Sequence, residues 1–275
     1  MFQEGFFDKV YYRFWQTDKE NTAFANIFAI HGLGGHSFWF NNAANLFNKN
    51  NINFFSFDLQ GFGESKYPKG TISSYKDWVS ISKEILEKFL VNFNITVPVF
   101  ILGHSMGALI AILLSKKVKS NGWILTVPGF EGYEQTWPLF DFTVPVFLKS
   151  LCRPTDNVSM PFGPELITKN KETQLQLKKD KLRVVNVNAE VFKEVYFLTL
   201  KSKALCKSFD EPVLMLQAGN DMVCSNSAMD KYFNDIRSKD KSKKTYTNVY
   251  HDLFIEDEVE QIVNDITEWI RVRAL

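Results

Sequence analysis

A serine flanked by small residues, Gly103-His104-Ser105-Met106-Gly107, is the stretch of this chain best suited to do chemistry. The apolar run Val97 to Leu102 leads into it as a strand, and Ala108 to Leu114 leads out as a helix. In that setting a serine side chain projects from a strained turn at a helix N-terminus, where N–H groups favour developing negative charge. Glycines two positions to either side leave room for the backbone to make the turn. A serine hydroxyl near neutral pH is a weak nucleophile, so it needs a base within hydrogen-bonding reach and a third group to orient that base.

Four histidines are available. His104 is the serine's own neighbour and points elsewhere, and His31 and His36 flank a glycine turn early in the chain. His251 follows a β-rich run, Thr245 to Tyr250, and opens the loop into the last helix, at the strand edge where such sheets keep their sites. The expected base is therefore His251. The acid should lie between serine and histidine in the chain. Asp221, which closes the strand Pro212 to Gln217 through Ala218-Gly219-Asn220, fits that order. Asp252, adjacent to His251, would have difficulty reaching the far side of that ring. The turn His31-Gly32-Leu33-Gly34-Gly35 leaves a main-chain N–H unobstructed, so the backbone N–H groups of Leu33 and Met106 are expected to stabilise an oxyanion. A further motif, Asp58-Leu59-Gln60-Gly61-Phe62-Gly63-Glu64-Ser65, lacks both the glycine spacing of a dinucleotide site and the lysine of a phosphate loop, and reads as structural.

The elements around these residues alternate. Lys9 to Gln16 reads as an edge strand, Phe24 to His31 as a buried strand and Ile52 to Asp58 as another. Helices follow Gly35 and span Ser74 to Asn92, the latter with Trp78, Ile81, Ile85 and Phe89 at helical spacing behind a serine cap. After Trp123 to Pro128 the rhythm breaks. From Gly129 to Ser202 prolines recur and the later part is lysine-rich and helix-like. The pattern then resumes with Ser225 to Ile236 and Glu256 to Val272 as helices. This predicts an α/β fold with a mostly parallel, doubly wound sheet: residues 1–128 and 203–275 form the core, and 129–202 an inserted helical cap.

At 275 residues and 45% hydrophobic the chain can bury a full core. Lysine and arginine number 32 against 31 acids, and a net charge of +1 gives no electrostatic case for nucleic acid. The three cysteines, Cys152, Cys206 and Cys224, show neither a disulfide framework nor metal-ligand spacing, which points to a reducing, cytoplasmic location. The first residues lack the basic start and apolar run of a signal peptide.

Taken together, Tyr11 to Trp15 (YYRFW), His31 to Ser37 (HGLGGHS), Asp58 to Ser65 (DLQGFGES), Gly103 to Gly107 (GHSMG), Gln217 to Asp221 (QAGND) and His251 to Glu256 (HDLFIE) resemble the α/β-hydrolase superfamily, within it the monoacylglycerol lipase and lysophospholipase-like group. In the cap, Asp180-Lys181-Leu182 loosely matches the D-P-L stretch of that group. The resemblance implies the α/β-hydrolase fold and ester hydrolysis through an acyl-enzyme, with no metal and no cofactor. A small-molecule ester or lipid is the expected substrate.

In the cap, Trp137, Leu139, Phe140, Phe142, Val144, Val146, Phe147 and Leu148 form an apolar stretch, of which Trp137, Phe140 and Phe147 are expected to bind substrate. The stretch would line an acyl channel or make transient contact with a membrane surface, with Lys169, Lys171, Lys178 and Lys179 facing anionic head groups, or else simply pack on the core. Cys224 reads as a small buried residue beside the acid. Rival readings are a short-chain carboxylesterase, a carbon–carbon bond hydrolase, an aminopeptidase using Glu165, Glu172 or Glu190 to hold an ammonium group, and a non-catalytic binding protein on the same scaffold.

Overall fold

In the computed structural model, which describes residues 1–17 and 23–274, eight strands form one sheet in the order β1-β2-β4-β3-β5-β6-β9-β10. These are β1 (Phe2–Phe7), β2 (Val10–Trp15), β3 (Ala25–Ile30), β4 (Ile52–Phe57), β5 (Val99–His104), β6 (Gly122–Thr126), β9 (Val213–Ala218) and β10 (Lys241–Tyr246). β1 and β2 form an antiparallel hairpin joined antiparallel to β4, and every other pairing is parallel. β3, β6 and β9 are buried at every residue, as strands covered on both faces must be, which explains their unbroken apolar runs.

Helices cover the two faces. α2 (Tyr75–Asn92) starts at Ser74, whose side chain accepts the Lys76 N–H, and it buries Trp78, Ile85 and Phe89. α3 (Met106–Leu114) is apolar almost all round because α2 and the sheet enclose it. α9 (Val259–Arg271) and α1 (Asn41–Lys49) pack together. Much of the core is phenylalanine: Phe28 stacks on Phe55 at 5.5 Å between ring centres, and Phe89 closes on Phe55 at 4.4 Å.

Between β6 and β9 lie α4 (Val144–Cys152), the single turn α5 (Pro164–Ile167), α6 (Lys171–Lys179) and α7 (Ala189–Cys206), with a two-stranded ribbon of β7 (Asn157–Ser159) and β8 (Asn186–Asn188). α7 runs unbroken across residues 202 and 203 and packs on α3, so one helix serves both the inserted segment and the return to the sheet. α8 (Asn226–Asp235) follows β9.

Two strands depart from the sequence reading. The strand expected at Thr245 to Tyr250 is β10, four residues earlier, with Lys241 opposite Val213 and Tyr246 opposite Ala218. It is an edge strand whose Lys243 and Lys244 face solvent, so it lacks the apolar run that marks a covered strand. β2 is not the edge, because β1, whose residues alternate between exposed and half-buried, lies outside it.

Candidate active site

Sterics explain the turn at the end of β5. Ser105 sits at φ 54° and ψ −115°, a conformation that costs a non-glycine residue about 1–3 kcal/mol. The neighbourhood enforces it. The Ser105 N–H donates to the Thr126 carbonyl at 2.9 Å, and the Ser105 carbonyl accepts from Ala108 at 3.1 Å and Gly129 at 3.2 Å. A Cβ on Gly103 would lie 2.5 Å from the Ala108 Cα, and one on Gly107 would lie 2.1 Å from the Ile30 carbonyl oxygen. Both glycines are thus required by backbone that cannot move aside.

His251 Nε2 lies 3.0 Å from Ser105 Oγ, and its Nδ1 lies 2.9 and 3.0 Å from the two carboxylate oxygens of Asp221. Asp221 Oδ1 also accepts the N–H groups of Val223 and Cys224, each at 2.8 Å, so the carboxylate is held by the backbone of its own loop. Burial opposes charge on His251, but the Asp221 carboxylate and its hydrogen bond outweigh it, and the pKa is raised above the ordinary histidine value. The three residues meet although each comes from a different strand end, β5, β9 and β10.

The remaining histidines are occupied. His104 points away from the serine, with Nδ1 3.1 Å from Thr126 Oγ1, and burial lowers its pKa to about 4. His31 is neutral for the same reason, also at about 4: Nδ1 donates to the Gly32 carbonyl at 2.8 Å and Nε2 accepts the Leu59 N–H at 2.9 Å. His36 Nε2 lies 2.8 Å from Asp180 Oδ2, which also accepts the Trp39 indole N–H at 2.9 Å. Asp180 thereby latches the inserted segment to the core. Asp252 does not reach the His251 ring. One of its oxygens accepts the Phe254 N–H and the other lies 3.7 Å from His104 Nε2.

Asp58 is fully buried and accepts from Ser37 N–H, Ser37 Oγ and Glu64 N–H, while Ser65 Oγ donates to its carbonyl. That motif ties the β4 turn to the loop after β3. Cys224 is buried against Ser105, which raises its thiol pKa well above the usual value through loss of solvation, so it stays a neutral thiol. Its sulfur, the Asp221 carboxylate and a His251 nitrogen lie within 4.8 Å of one another, but the carboxylate is already committed to two N–H groups and the imidazole.

Ser105, Leu33, Met106 and His251 open onto a cavity of about 390 Å³. Met106 is the first residue of α3, so its N–H has no acceptor within the helix. Leu33 and Gly32 stand beside it, and a Cβ on Gly32 would lie 3.1 Å from the Ser105 Cβ. Of the expected substrate-binding residues, Trp137 and Phe147 line the cavity, and Phe140 does not. Phe140 is 80% exposed: the turn at 139–143 winds as a helix, aiming Leu139, Phe142 and Thr143 inward and Phe140 outward. Sequence reading missed Phe162 on the loop before α5 and Phe192, Val195 and Tyr196 on α7, which complete the wall. Their spacing on α7 was visible, but which face meets the cavity depends on how the insertion folds. Lys169 does not face outward as a free cation. It bonds the Asn248 carbonyl at 2.8 Å and pairs with Glu258. Glu165, Glu172 and Glu190 are absent from the cavity wall.

A mostly parallel sheet, a serine on a strained strand-to-helix turn, and a histidine and a buried carboxylate brought in from later strands define a serine hydrolase of the α/β-hydrolase fold. Residues 21–258 match the family described as "Serine aminopeptidase, S33". The chain belongs to that family and is an α/β-hydrolase of the monoacylglycerol lipase type. It is 25% identical over 269 residues to the putative monoglyceride lipase of Schizosaccharomyces pombe, covering 95% of this chain and 71% of that protein. It is 26% identical over 270 residues to the monoglyceride lipase of Homo sapiens, covering 95% and 86%. A solved soluble variant of the monoglyceride lipase from Saccharomyces cerevisiae, in complex with a substrate analog, superposes with a TM-score of 0.88 at 21% identity over 99% of this chain and 95% of that one. That likeness supports the fold.

Proposed function

We propose that the protein hydrolyses esters of medium- or long-chain fatty acids, with monoacylglycerols and lysophospholipids as the leading substrates, through an acyl-enzyme on Ser105. His251 takes the serine proton as Oγ attacks the carbonyl, and Asp221 holds the imidazole in the tautomer that leaves Nε2 free to accept it. The N–H groups of Leu33 and Met106 stabilise the oxyanion, each worth about 3–4 kcal/mol in the transition state. His251 then protonates the leaving alcohol, and water deacylates the enzyme by the same route. The observation that carries this reading is Ser105 Oγ, 3.0 Å from the imidazole, at the floor of a cavity walled by Trp137, Phe142, Phe147, Phe162 and Phe192.

The same wall argues against an aminopeptidase. An ammonium group would need a carboxylate free to meet it beside the serine, whereas of the two on the cavity wall Glu131 pairs with Lys203 at 2.7 Å and Asp252 is 3% exposed and turned to the Phe254 N–H and the His104 ring. Phe140, Val144, Leu148 and Leu151 are exposed on the inserted segment, and we read them as a face for transient contact with a lipid surface. Among the described residues no helix is long and apolar enough to cross a membrane. Three unpaired thiols support a cytoplasmic setting.

The test is hydrolysis of p-nitrophenyl esters from two to sixteen acyl carbons, with monoacylglycerol and lysophospholipid as competitors and Ser105→Ala in parallel. We expect a medium- or long-chain optimum, suppression by at least one lipid, and loss of turnover in Ser105→Ala. A two-carbon optimum indifferent to both lipids would replace the lipid reading with a general carboxylesterase, and turnover that survives Ser105→Ala would overturn the mechanism.

A further inference from the structure

The loop that carries His251 rests on the inserted segment. The N–H of Asp252, the residue after the histidine, donates to the Ile167 carbonyl at 2.9 Å. The N–H of Tyr250, the residue before it, donates to Glu256 Oε1 at 2.9 Å, and that same oxygen accepts the Lys169 N–H at 3.1 Å. Lys169 and Asn170 add side-chain bonds to the Asn248 carbonyl, Glu258 and Asp257. Glu256 is 2% exposed, and its second oxygen has no hydrogen-bond partner. Through Oε1 this carboxyl group holds the backbone just before His251 and the backbone of residue 169 at a fixed separation, with the Thr168 hydroxyl beside it. Ile167 and His251 both line the cavity, so the side of the insertion that meets substrate is the side that is clamped to the loop.

We propose that Glu256 is a positioning residue for His251, and that through it the placement of the base depends on the inserted segment being seated on the core. This deepens the mechanism above and rests on His251 being the general base. It predicts that disturbing Glu256 slows the chemical step while leaving substrate binding nearly intact, because Glu256 is not among the residues that line the cavity. It also predicts that reach matters more than charge. Glutamine keeps an oxygen at the Oε1 position, whereas aspartate keeps the charge but is one methylene shorter and cannot hold both N–H groups.

The experiment compares Glu256→Gln and Glu256→Asp in the full chain on one soluble p-nitrophenyl ester, with kcat expressed per site titrated by a fluorophosphonate and with the pH profile of kcat/KM recorded. The titratable groups near His251 are Asp221, bonded to its Nδ1, Asp252, the next residue in the chain, the His104 ring at 5.5 Å between centres, and Cys224, and none of these is altered. Glu256→Asp is expected to lower per-site kcat about tenfold or more with KM within about twofold, and Glu256→Gln to cost no more than about threefold. In Glu256→Asp the acidic limb of the profile should also move to lower pH as the His251–Asp221 contact loosens. A loss of titratable sites with unchanged per-site kcat and an unmoved limb would mark Glu256 as structural only and overturn the proposal, as would equal effects of the two variants. If the parent itself shows no Ser105-dependent turnover, the failure belongs to the reading of the active site.

Discussion

Replacing Asp221 by asparagine changes one atom and should cost most of the activity, for a reason that can be worked through bond by bond. The Oδ1 atom accepts two backbone N–H groups at 2.8 Å, from Val223 and Cys224. In the variant the amide oxygen must take that place, because an NH2 group there would face two donors. The NH2 group therefore occupies the Oδ2 position, 2.9 Å from His251 Nδ1. Nδ1 then faces a donor at its nearer contact, while the amide oxygen, 3.0 Å away, already accepts two backbone N–H groups, so Nδ1 becomes the acceptor and the imidazole proton moves to Nε2, where it points at Ser105 Oγ. The base is then in the wrong tautomer to take the serine proton. A tautomer fault of this kind lowers kcat by about 10⁴-fold, or about 5 kcal/mol of transition-state stabilisation. The fold should survive, because the two bonds to the backbone of the acid loop survive. Purified Asp221→Asn would be assayed for kcat on a soluble ester and for its melting temperature, and a melting temperature near the parent's with a kcat fall of about four orders of magnitude is the expected result. A fall of less than about 30-fold would refute both the tautomer argument and the assignment of Asp221.

Two further outcomes follow from the same geometry. The His251 pKa is raised by Asp221 against the effect of burial, so kcat/KM should be lost as pH falls through a value above the ordinary 6.5, and an acidic limb well below that value would contradict the pairing. The sign for stability is opposite: a raised folded-state pKa contributes stability that is fully present below the unfolded value and is lost as pH rises through the folded one. Asp180→Ala removes the acceptor of the His36, Trp39 and Leu182 N–H groups, and the loss of the two core donors' partner alone costs about 2–3 kcal/mol. Calorimetry should show a melting temperature lower by about 5–10 °C, and a change under 2 °C would mean that the latch contributes little.

The elbow was legible because its demands are local. Gly103 is needed by the backbone of the following turn, at Gly107 and Ala108, and the strand before and helix after it carry their own apolar patterns; Gly107 is needed by the Ile30 carbonyl on the neighbouring strand, a demand visible in sequence only through the motif. His251 and Asp221 could be chosen because a parallel sheet delivers residues from successive strand ends to one edge, so chain order stands in for position. The cavity wall could not be read the same way. Phe140 and Phe142 are the same residue type two positions apart, and only the winding of that turn decides that one faces solvent and the other the cavity. β10 was misplaced for a related reason, since Lys241, Lys243 and Lys244 suit an edge strand wetted on one side, and composition alone reads them as loop. Glu256 gave no sign of its clamp, because its partners are two main-chain N–H groups that no residue type announces.

The double duty of α7 bears on how such a protein can diversify. Its 18 residues, about 27 Å of helix, carry Phe192, Val195 and Tyr196 on the cavity and Leu198 and Cys206 in the core on the way back to β9. A lineage that reshapes the cavity through this helix alters the packing of its own scaffold with the same substitutions. The turn at 139–143 and the start of α4 carry less of that constraint, since they pack chiefly on each other and on the cavity side of α7. Drift in substrate range should therefore accumulate there first, while α7 changes slowly and only in company with the residues of α3 on which it lies.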